Sequence, residues 1–262
     1  MARWALLAVF ALVSLSAAAP LAHALEVQQV TEGVYALVGE KAQRSPENLA
    51  NNATFGVVVT GEGVVLIDPG GSWKGAEAIH AAIGEITDQP VKVVIDSGGQ
   101  DHRWLGNSYW KARGARIIAS EAAVADQQAR ASMQFSMLHE LLGEALQGTE
   151  AVSAEETFAE SHSFELGGVA FEIHHVGPAH TPGDSFVWLP RQRTVFTGDI
   201  VYVERLLGVD LTDPELGQRD DVAAWAHPTW ELLGSGLFTD AFVARLGATT
   251  DTRTTARATS RS

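Results

Sequence analysis

Short runs of apolar and β-branched residues, separated by glycine-rich turns, recur along the chain from residue 33 to residue 197. Such runs are typical of strands that are buried on one or both faces. They predict strands over residues 33–38, 54–60, 64–68, 91–95, 116–119, 169–176, 184–189 and 194–197. The Gly61-Glu62-Gly63 segment separates two of these runs and predicts a hairpin turn.

Helical patterns occupy three other segments. Residues 73–86 have apolar side chains at helical spacing and follow Ser72, a candidate N-cap. Residues 104–113 and 121–147 are the other two predicted helices. Each half of the chain begins with strands at hairpin spacing, and the first half continues into a strand–helix–strand unit. This order predicts a layered α/β sandwich rather than a doubly wound parallel sheet.

Three segments depart from this pattern. Residues 41–52 are polar, with Pro46 and three asparagines, and predict a loop that is a candidate flap. Residues 210–246 have a helical pattern but no clear closing strand, and residues 247–262 are poor in apolar residues and predict disorder. We interpret the abrupt change near Gly208 as a change of reading frame or a diverged C-terminus.

The N-terminus has the pattern of a secretory signal. Arg3 precedes an apolar run, and small residues then lead to an Ala22-His23-Ala24 cleavage site. The run is too short for a membrane anchor. We therefore expect export to the periplasm with no stable membrane anchor. The predicted organisation is a signal peptide at residues 1–24, a domain at 25–246 in which 208–246 is atypical, and a disordered tail at 247–262.

Composition excludes several classes of partner and site. The 262 residues carry 32 acidic and 18 basic side chains, a formal charge of −14 that would repel nucleic acid and anionic membrane. There is no cysteine, so thiolate metal sites, cysteine nucleophiles and disulfides are excluded. Any metal ion must be held by His, Asp, Glu, Asn, Gln or backbone oxygen.

Candidate ligands follow the predicted strands in three islands of sequence: "LIDPGGS" at residues 66–72, "SGGQDHRWLGN" at 97–107, and "GPAHTPGDSFVWLPRQRTVFTGDIVY" at 177–202. Side chains that follow neighbouring strands can converge at one edge of a sheet, and zinc needs three or four nitrogen or oxygen ligands. The candidates at these strand ends are Asp68, Gln100, Asp101, His102, His180 and Asp199.

The same islands resemble the metallo-β-lactamase-fold hydrolases. The matching segments are "IDPG", "GPAHTPGD" and "FTGD", in the family's order over roughly residues 34–202. The resemblance implies a four-layer αβ/βα sandwich, incomplete at the C-terminus if the atypical segment does not supply its last strand and helix. It also implies a metal-bound hydroxide that attacks a small substrate. The family's late histidine has only a poor candidate here, His227.

The family's His-x-His-x-Asp-His cluster is altered. Aligned without gaps, Gly98 and Gln100 replace the first two histidines, His102 replaces the aspartate and Arg103 the last histidine. A one-residue shift instead keeps Asp101 and His102 as the Asp-His pair, and we favour this shifted alignment because loops tolerate insertions and deletions.

The resemblance then assigns roles to individual residues. Asp101, His102, His180 and Asp199 are the predicted metal ligands, and Asp101 is also the predicted proton acceptor. Gln100 is a weaker ligand or orients water. We expect one zinc ion, with iron or manganese as alternatives because the ligands are rich in carboxylate. Asp68 is expected to hold a ligand or the loop through hydrogen bonds.

The cluster with its flanking residues is further similar to the quinoprotein relay system zinc metallohydrolases, a subgroup related to a metallohydrolase found with sulfur-oxidation genes. This similarity suggests a periplasmic quinoprotein dehydrogenase as a neighbour in the pathway. The expected function is an exported metal-dependent hydrolase of a small ester, thioester or lactone. The alternative is a non-catalytic binding protein of the same fold, in a periplasmic quinoprotein or sulfur-oxidation system.

Overall fold

The computed structural model describes residues 25–201. The predicted signal peptide, the atypical segment, the predicted tail and His227 lie outside the described residues. In the part of the chain that is described, no helix is both long enough and apolar enough to span a membrane.

Seven strands form the larger sheet in the order in which they occur in the chain. They are β1 (Glu26–Thr31), β2 (Val34–Val38), β3 (Thr54–Thr60), β4 (Gly63–Ile67), β5 (Val91–Asp96), β6 (Arg116–Ser120) and β7 (Glu156–Phe158). Neighbours from β1 to β4 are antiparallel, and those from β4 to β7 are parallel. Strands β1 and β7 were not predicted, because β1 is mostly polar and β7 has only three residues.

Four antiparallel strands form the second sheet, in the order β11-β10-β9-β8. They are β8 (Ser161–Leu166), β9 (Val169–His174), β10 (Phe186–Leu189) and β11 (Thr194–Phe196). The predicted hairpin turn at residues 61–63 is confirmed, since β3 and β4 pair directly across it.

Three α-helices accompany the sheets: α1 (Trp73–Gly84), α2 (Asn107–Lys111) and α3 (Glu121–Leu142). Ser72 caps α1 as predicted, because its side chain accepts a hydrogen bond from the Gly75 N–H. The helix predicted over residues 104–113 is shorter in the structure. Trp104 leaves helical geometry at φ −153°, so a 3₁₀ turn (Asp101–Arg103) and α2 replace it.

Two layers of apolar side chains hold the fold together. One lies between the two sheets, where inward residues of both pack on each other: Val58, Val65, Ile67, Val93, Ile95, Ile118, Phe171, Ile173, Val187 and Leu189. The other lies between the larger sheet and α1 and α2. The prediction of an α/β sandwich is therefore confirmed. The fourth layer of the predicted fold is not among the described residues.

The parallel half of the larger sheet determines where a site can form. Strands β4, β5 and β6 run in the same direction, so their carboxyl ends lie at one edge. Loops at such an edge are the usual position of ligand sites in sheets of this kind. Asp68 follows β4 there, and the loop at residues 97–106 follows β5.

Candidate functional site

Asp68 ties the ends of two parallel strands together. Its backbone has a left-handed φ of 68°, which aspartate tolerates better than most residues. Its N–H donates to the Ile95 carbonyl at 2.8 Å, and its Oδ1 accepts the Ser97 N–H at 2.9 Å. The carboxyl group is buried and its second oxygen faces Arg103. The predicted role of Asp68 in holding the loop agrees with these contacts.

The two glycines that begin the altered cluster are required by close packing. A Cβ at position 98 would lie 2.3 Å from Asp184 Oδ1, and one at position 99 would lie 1.9 Å from Asp126 Oδ2. The Asp184 carboxylate cannot move aside easily, because it accepts hydrogen bonds from the Thr181 N–H at 2.6 Å and the Thr181 hydroxyl at 2.5 Å. Hence the place of the family's first histidine is filled by a neighbouring carboxylate.

Helix α3 holds the backbone of this loop through two buried glutamines that lie on the same helical face, about two turns apart. Gln127 Nε2 donates to the Gly98 carbonyl at 3.0 Å, and Gln134 Nε2 donates to the Gly99 carbonyl at 2.9 Å. Gln134 Oε1 also accepts the indole N–H of Trp104 at 2.9 Å. The loop is thus fixed by protein hydrogen bonds on the side facing the helix.

Asp101 is fully buried and bound by an arginine from a distant loop. Arg44 reaches it with two parallel hydrogen bonds, Nε to Oδ2 and Nη2 to Oδ1, each 2.5 Å. His102 Nδ1 lies 3.3 Å from Asp101 Oδ1. Burial alone would raise the pKa of Asp101, but hydrogen bonds and charge from His102 and Arg44 outweigh it and hold the pKa below its usual range. Asp101 is therefore an ionised carboxylate whose two oxygens are already bound by Arg44, and it is a poor proton acceptor.

His102 lies between the two carboxylates of the site. Its Nδ1 is 3.2 Å from Arg44 Nη2 and 3.3 Å from Asp101 Oδ1, so it can accept from the guanidinium in one tautomer or donate to the carboxylate in the other. Nε2 is 3.4 Å from Asp199 Oδ2, longer than a well-formed hydrogen bond. Both ring nitrogens of His102 therefore face a carboxylate.

Asp199 is bound by Arg103, the residue directly after His102. Arg103 Nη2 donates to Asp199 Oδ1 at 2.8 Å, and its Nε donates to Oδ2 at 3.3 Å. The same guanidinium donates through Nη1 to Asp68 Oδ2 at 2.5 Å and to the Thr54 carbonyl at 3.1 Å. Burial would raise the pKa of Asp199, but the charges of Arg103 and His102 lower it well below the usual range.

His180 and Gln100 complete the set of predicted residues. His180 lies in the loop between β9 and β10 and is half-buried. Burial lowers its pKa, with Asp199 opposing and His102 among the nearby charges that lower it further, so the ring is neutral near pH 7. Gln100 Oε1 is 3.4 Å from Arg130 Nη1, which orients its amide toward α3.

These side chains share one cavity of about 660 Å³ at the sheet edge. Its lining includes Arg44, Gln100, His102, Arg103, His180 and Asp199. Asp101 has no exposed surface and lies behind Arg44. A second depression of about 590 Å³, near His174 and His175, contains none of the predicted site residues. The structure therefore brings four of the five predicted residues to one cavity and buries the fifth beside it.

Comparison with known proteins identifies the family. Residues 50–235 match the model of the metallo-beta-lactamase superfamily. The chain belongs to this superfamily. A metallo-beta-lactamase type 2 of Elizabethkingia meningoseptica is 24% identical over 202 residues, which cover 76% of this chain and 71% of the relative. Superfamily membership confirms the resemblance stated for the whole family, while the quinoprotein relay subgroup stays a prediction.

Solved structures with the metallo-beta-lactamase fold superimpose on most of the chain. A metallo-beta-lactamase from Pontibacter korlensis gives a TM-score of 0.56 at 24% identity, covering 80% of this chain and 86% of its own. Metallo-beta-lactamase IND-7 gives 0.54 at 18% identity, covering 81% and 85%. At these identities the likeness shows the fold. The family match supports a metal-dependent hydrolase in general terms, and zinc is typical of the family.

The residues at this site do not fit a metal ion as they are arranged. Among residues 25–201, no three His, Asp or Glu side chains are placed to share one ion. Asp101 and Asp199, the two predicted carboxylate ligands, each bind an arginine at two points. The two guanidinium groups also add positive charge where a divalent cation would have to lie. We therefore assign no chemical step to a metal in this arrangement.

Sequence reasoning missed both arginines. Arg103 was visible in the ungapped alignment at the place of the family's last histidine, and in the structure its Nη2 donates to Asp199 Oδ1 at 2.8 Å. Nothing in the sequence marked Arg44, since its loop is 57 residues from Asp101 along the chain. Such a contact becomes visible only in the folded chain.

Proposed function

We propose that the protein is an exported member of the superfamily that binds a small organic molecule in the cavity at the sheet edge, without a metal ion. One observation carries this proposal. Both carboxylates predicted to bind metal are instead held at two points by arginine, Asp101 by Arg44 and Asp199 by Arg103. A buried carboxylate already neutralised in this way has little affinity left for a second cation.

The cavity suits a small polar ligand. A volume of about 660 Å³ is within the usual range for small-molecule sites, and its lining combines apolar side chains with many polar and charged ones. Arg44, Gln100 and His180 offer donors to a carbonyl or carboxylate oxygen. We expect a ligand with such oxygens, in the size range of a small ester, lactone or the acid it yields on hydrolysis.

The proposed setting is the periplasm. The signal-like N-terminus supports export, and the similarity of the residues around 97–107 to the quinoprotein relay subgroup supports a place beside a quinoprotein dehydrogenase or a sulfur-oxidation system. A binding protein in such a setting would hold or deliver a small organic acid or ester. The formal charge of −14 also favours a small ligand over nucleic acid.

The decisive experiment compares metal, binding and turnover in one preparation. The chain without residues 1–24 is purified without added metal, its metal content is measured, and hydrolysis of aryl esters, a thioester and a lactone is followed. Thermal shift with a series of small carboxylates and lactones measures binding. The Asp101→Ala/His180→Ala double variant is the control. We expect little metal, no hydrolysis above the control, and a ligand-dependent shift lost in the control. Hydrolysis above the control would reject the proposal.

The second candidate is the metal-dependent hydrolase that the family supports in general. It is favoured by one observation, that His102, His180 and Asp199 line the same cavity. These three could bind a zinc ion, which would supply a hydroxide nucleophile and polarise a carbonyl, only if Arg103 released Asp199. Adding zinc to the purified chain tests this. Ester hydrolysis that appears with zinc and is absent from His180→Ala would replace the first proposal with the second.

A further inference from the structure

We propose that the Arg103 guanidinium is the resident cation of this site: it holds the carboxylates of the sheet edge together in place of a metal ion and thereby excludes one. The inference rests on the proposed metal-free function and goes further, because it assigns the loss of metal binding to one side chain. It also makes a reverse claim, that removing this guanidinium opens the site to zinc.

The first support is the chemistry of the groups around Arg103. Its guanidinium donates hydrogen bonds to four oxygens: Asp68 Oδ2, both oxygens of Asp199, and the Thr54 carbonyl. Two carboxylates and a carbonyl around one positive group are the surroundings expected of a bound cation. The side chain is 6% exposed, so water contributes little to its neutralisation.

The second support is the charge of the cluster. One guanidinium cannot fully neutralise two carboxylates. Asp199 accepts two hydrogen bonds from the guanidinium, at 2.8 and 3.3 Å, and Asp68 accepts one at 2.5 Å. His102 Nε2 lies a further 3.4 Å from Asp199 Oδ2. Asp199 therefore has the larger share of the guanidinium contacts. Removal of Arg103 would leave a buried anion with two imidazoles, His102 and His180, in the same cavity.

The third support is the position of Arg103 in the sequence. In the ungapped alignment it stands where the family has the last histidine of its cluster, and its side chain reaches Asp199. A histidine at the same position would exchange a cation that binds the carboxylate for a neutral group that binds metal. One substitution would thus remove the positive charge that neutralises Asp199 and add a side chain that can bind a metal ion.

The fourth support is that the loop does not need a metal ion to keep its shape. Gln127 and Gln134 of α3 hold the Gly98 and Gly99 carbonyls, and the Thr181 hydroxyl accepts the Gly99 N–H at 3.1 Å. A variant that loses Arg103 therefore keeps an independent set of bonds to the same loop. We therefore expect an Arg103 variant to fold well enough for zinc binding to be measured.

The experiment measures zinc content and thermal stability in the full mature chain. Wild type, Arg103→His, Arg103→Ala and Arg103→Lys are dialysed against zinc, then against buffer, and bound zinc is measured by elemental analysis. Arg44→Ala is the matched control, because it removes the other arginine of the cavity and leaves Arg103 in place. We expect about one zinc per chain in Arg103→His, less in Arg103→Ala, and almost none in wild type, Arg103→Lys and Arg44→Ala.

Thermal melts give a second readout that does not depend on retained metal. Zinc should raise the melting temperature of Arg103→His by several degrees and leave wild type unchanged. Low millimolar guanidinium should raise the melting temperature of Arg103→Ala and not that of wild type, because the free ion can occupy the vacated position. If Arg103→His is too unstable to purify, this rescue of Arg103→Ala decides.

The outcomes separate the two proposals. If the Arg103 variants bind no more zinc than wild type and guanidinium gives no rescue, the role of Arg103 is rejected while the binding function stands. If wild type hydrolyses esters and is unaffected by chelators, the binding function is rejected and the role of Arg103 stands. Stoichiometric zinc in wild type rejects both.

Discussion

Arg103 and Arg44 each bind a buried carboxylate in the same cavity, but they come from different kinds of structure. Arg103 is the last residue of the 3₁₀ turn in the loop after β5, and the next two residues, Trp104 and Leu105, are buried. Arg44 lies near the exposed end of the loop between β2 and β3, next to exposed Gln43. The side chain of Arg103 is 6% exposed and that of Arg44 11%.

The difference shows which ion pair belongs to the structural frame, meaning the strand ends that the fold itself brings together. Arg103 joins three segments that the fold itself brings together: the ends of β4 and β5, and the residues after β11. Arg44 belongs to a loop whose second half is bound to α1, where Asn51 donates to the Gly75 carbonyl at 2.8 Å. Its first half is bound by the Asn52 amide, which donates to the Ala42 carbonyl at 3.1 Å, and by Arg44 itself. Movement of this loop as a flap stays a prediction. We expect Arg103 to matter for stability and Arg44 for access to Asp101.

The largest expected effect is that of removing the frame arginine. Arg103→Met should lower the free energy of unfolding by about 3–5 kcal/mol, because Asp199 would keep a buried charge without its partner. Urea unfolding followed by tryptophan fluorescence measures this. Arg116→Met is the matched control, since the Arg116–Glu156 pair is exposed and should contribute less than about 1 kcal/mol. Equal losses in the two variants would contradict the assignment of Arg103 to the frame.

A smaller loss is expected when a side chain is forced into the glycine loop. Gly98→Ala should cost about 2–3 kcal/mol, because its Cβ would lie 2.3 Å from Asp184 Oδ1 and the carboxylate would have to leave Thr181. Gly84→Ala is the control, because a Cβ there meets nothing within 4 Å. The control should be neutral or slightly stabilising. A loss at position 98 no larger than at position 84 would show that the packing is loose.

Removing the loop arginine should cost about 1–2 kcal/mol, less than removing Arg103, because water can replace part of the Arg44 contact. Arg44→Met should also make Asp101 titrate at a higher pH, since the loss of Arg44 removes a cause of its lowered pKa. Urea unfolding and the ¹³C chemical shift of the carboxylate measure the two effects. A loss equal to that of Arg103→Met would mean that both arginines belong to the frame.

The smallest effect concerns Asp184, a carboxyl group in the same region that neither arginine binds directly. Burial and the charge of Asp199 raise its pKa to about 7. With the folded pKa raised, the stability due to the neutral form is fully present below the pKa of the unfolded chain, near 4, and is lost as the pH rises through 7. Asp184→Asn stays neutral, so it should gain about 1 kcal/mol over wild type between pH 6 and pH 7. Parallel stability curves over that range would contradict the raised pKa.

The sequence predicted the strands of the fold better than the side-chain contacts within the site. Apolar runs predicted β3, β4 and β5, because such strands depend on local pattern. The rule that ligands follow strand ends placed Asp68, His180 and Asp199 at the site, although only Asp68 follows a strand of the parallel half. Strands β1, β7 and β8 were missed because exposed polar residues hide their periodicity. The bonds of Arg44 and Arg103 were missed because they depend on side-chain packing across distant segments, and an alignment of the loop alone left two assignments open.

The packing of Gly98 against Asp184 has a consequence for the history of the site. The two positions are coupled, so the first histidine of the family's cluster cannot return by one mutation: its side chain would collide with a carboxylate held by Thr181. Position 184 would have to change before position 98, because a side chain at 98 collides with the Asp184 carboxylate as it stands. Position 103 is constrained in another way, since its replacement removes the bonds to Asp68 and Asp199. A return to the family's cluster would therefore have to follow an order, with residue 184 changing before residue 98.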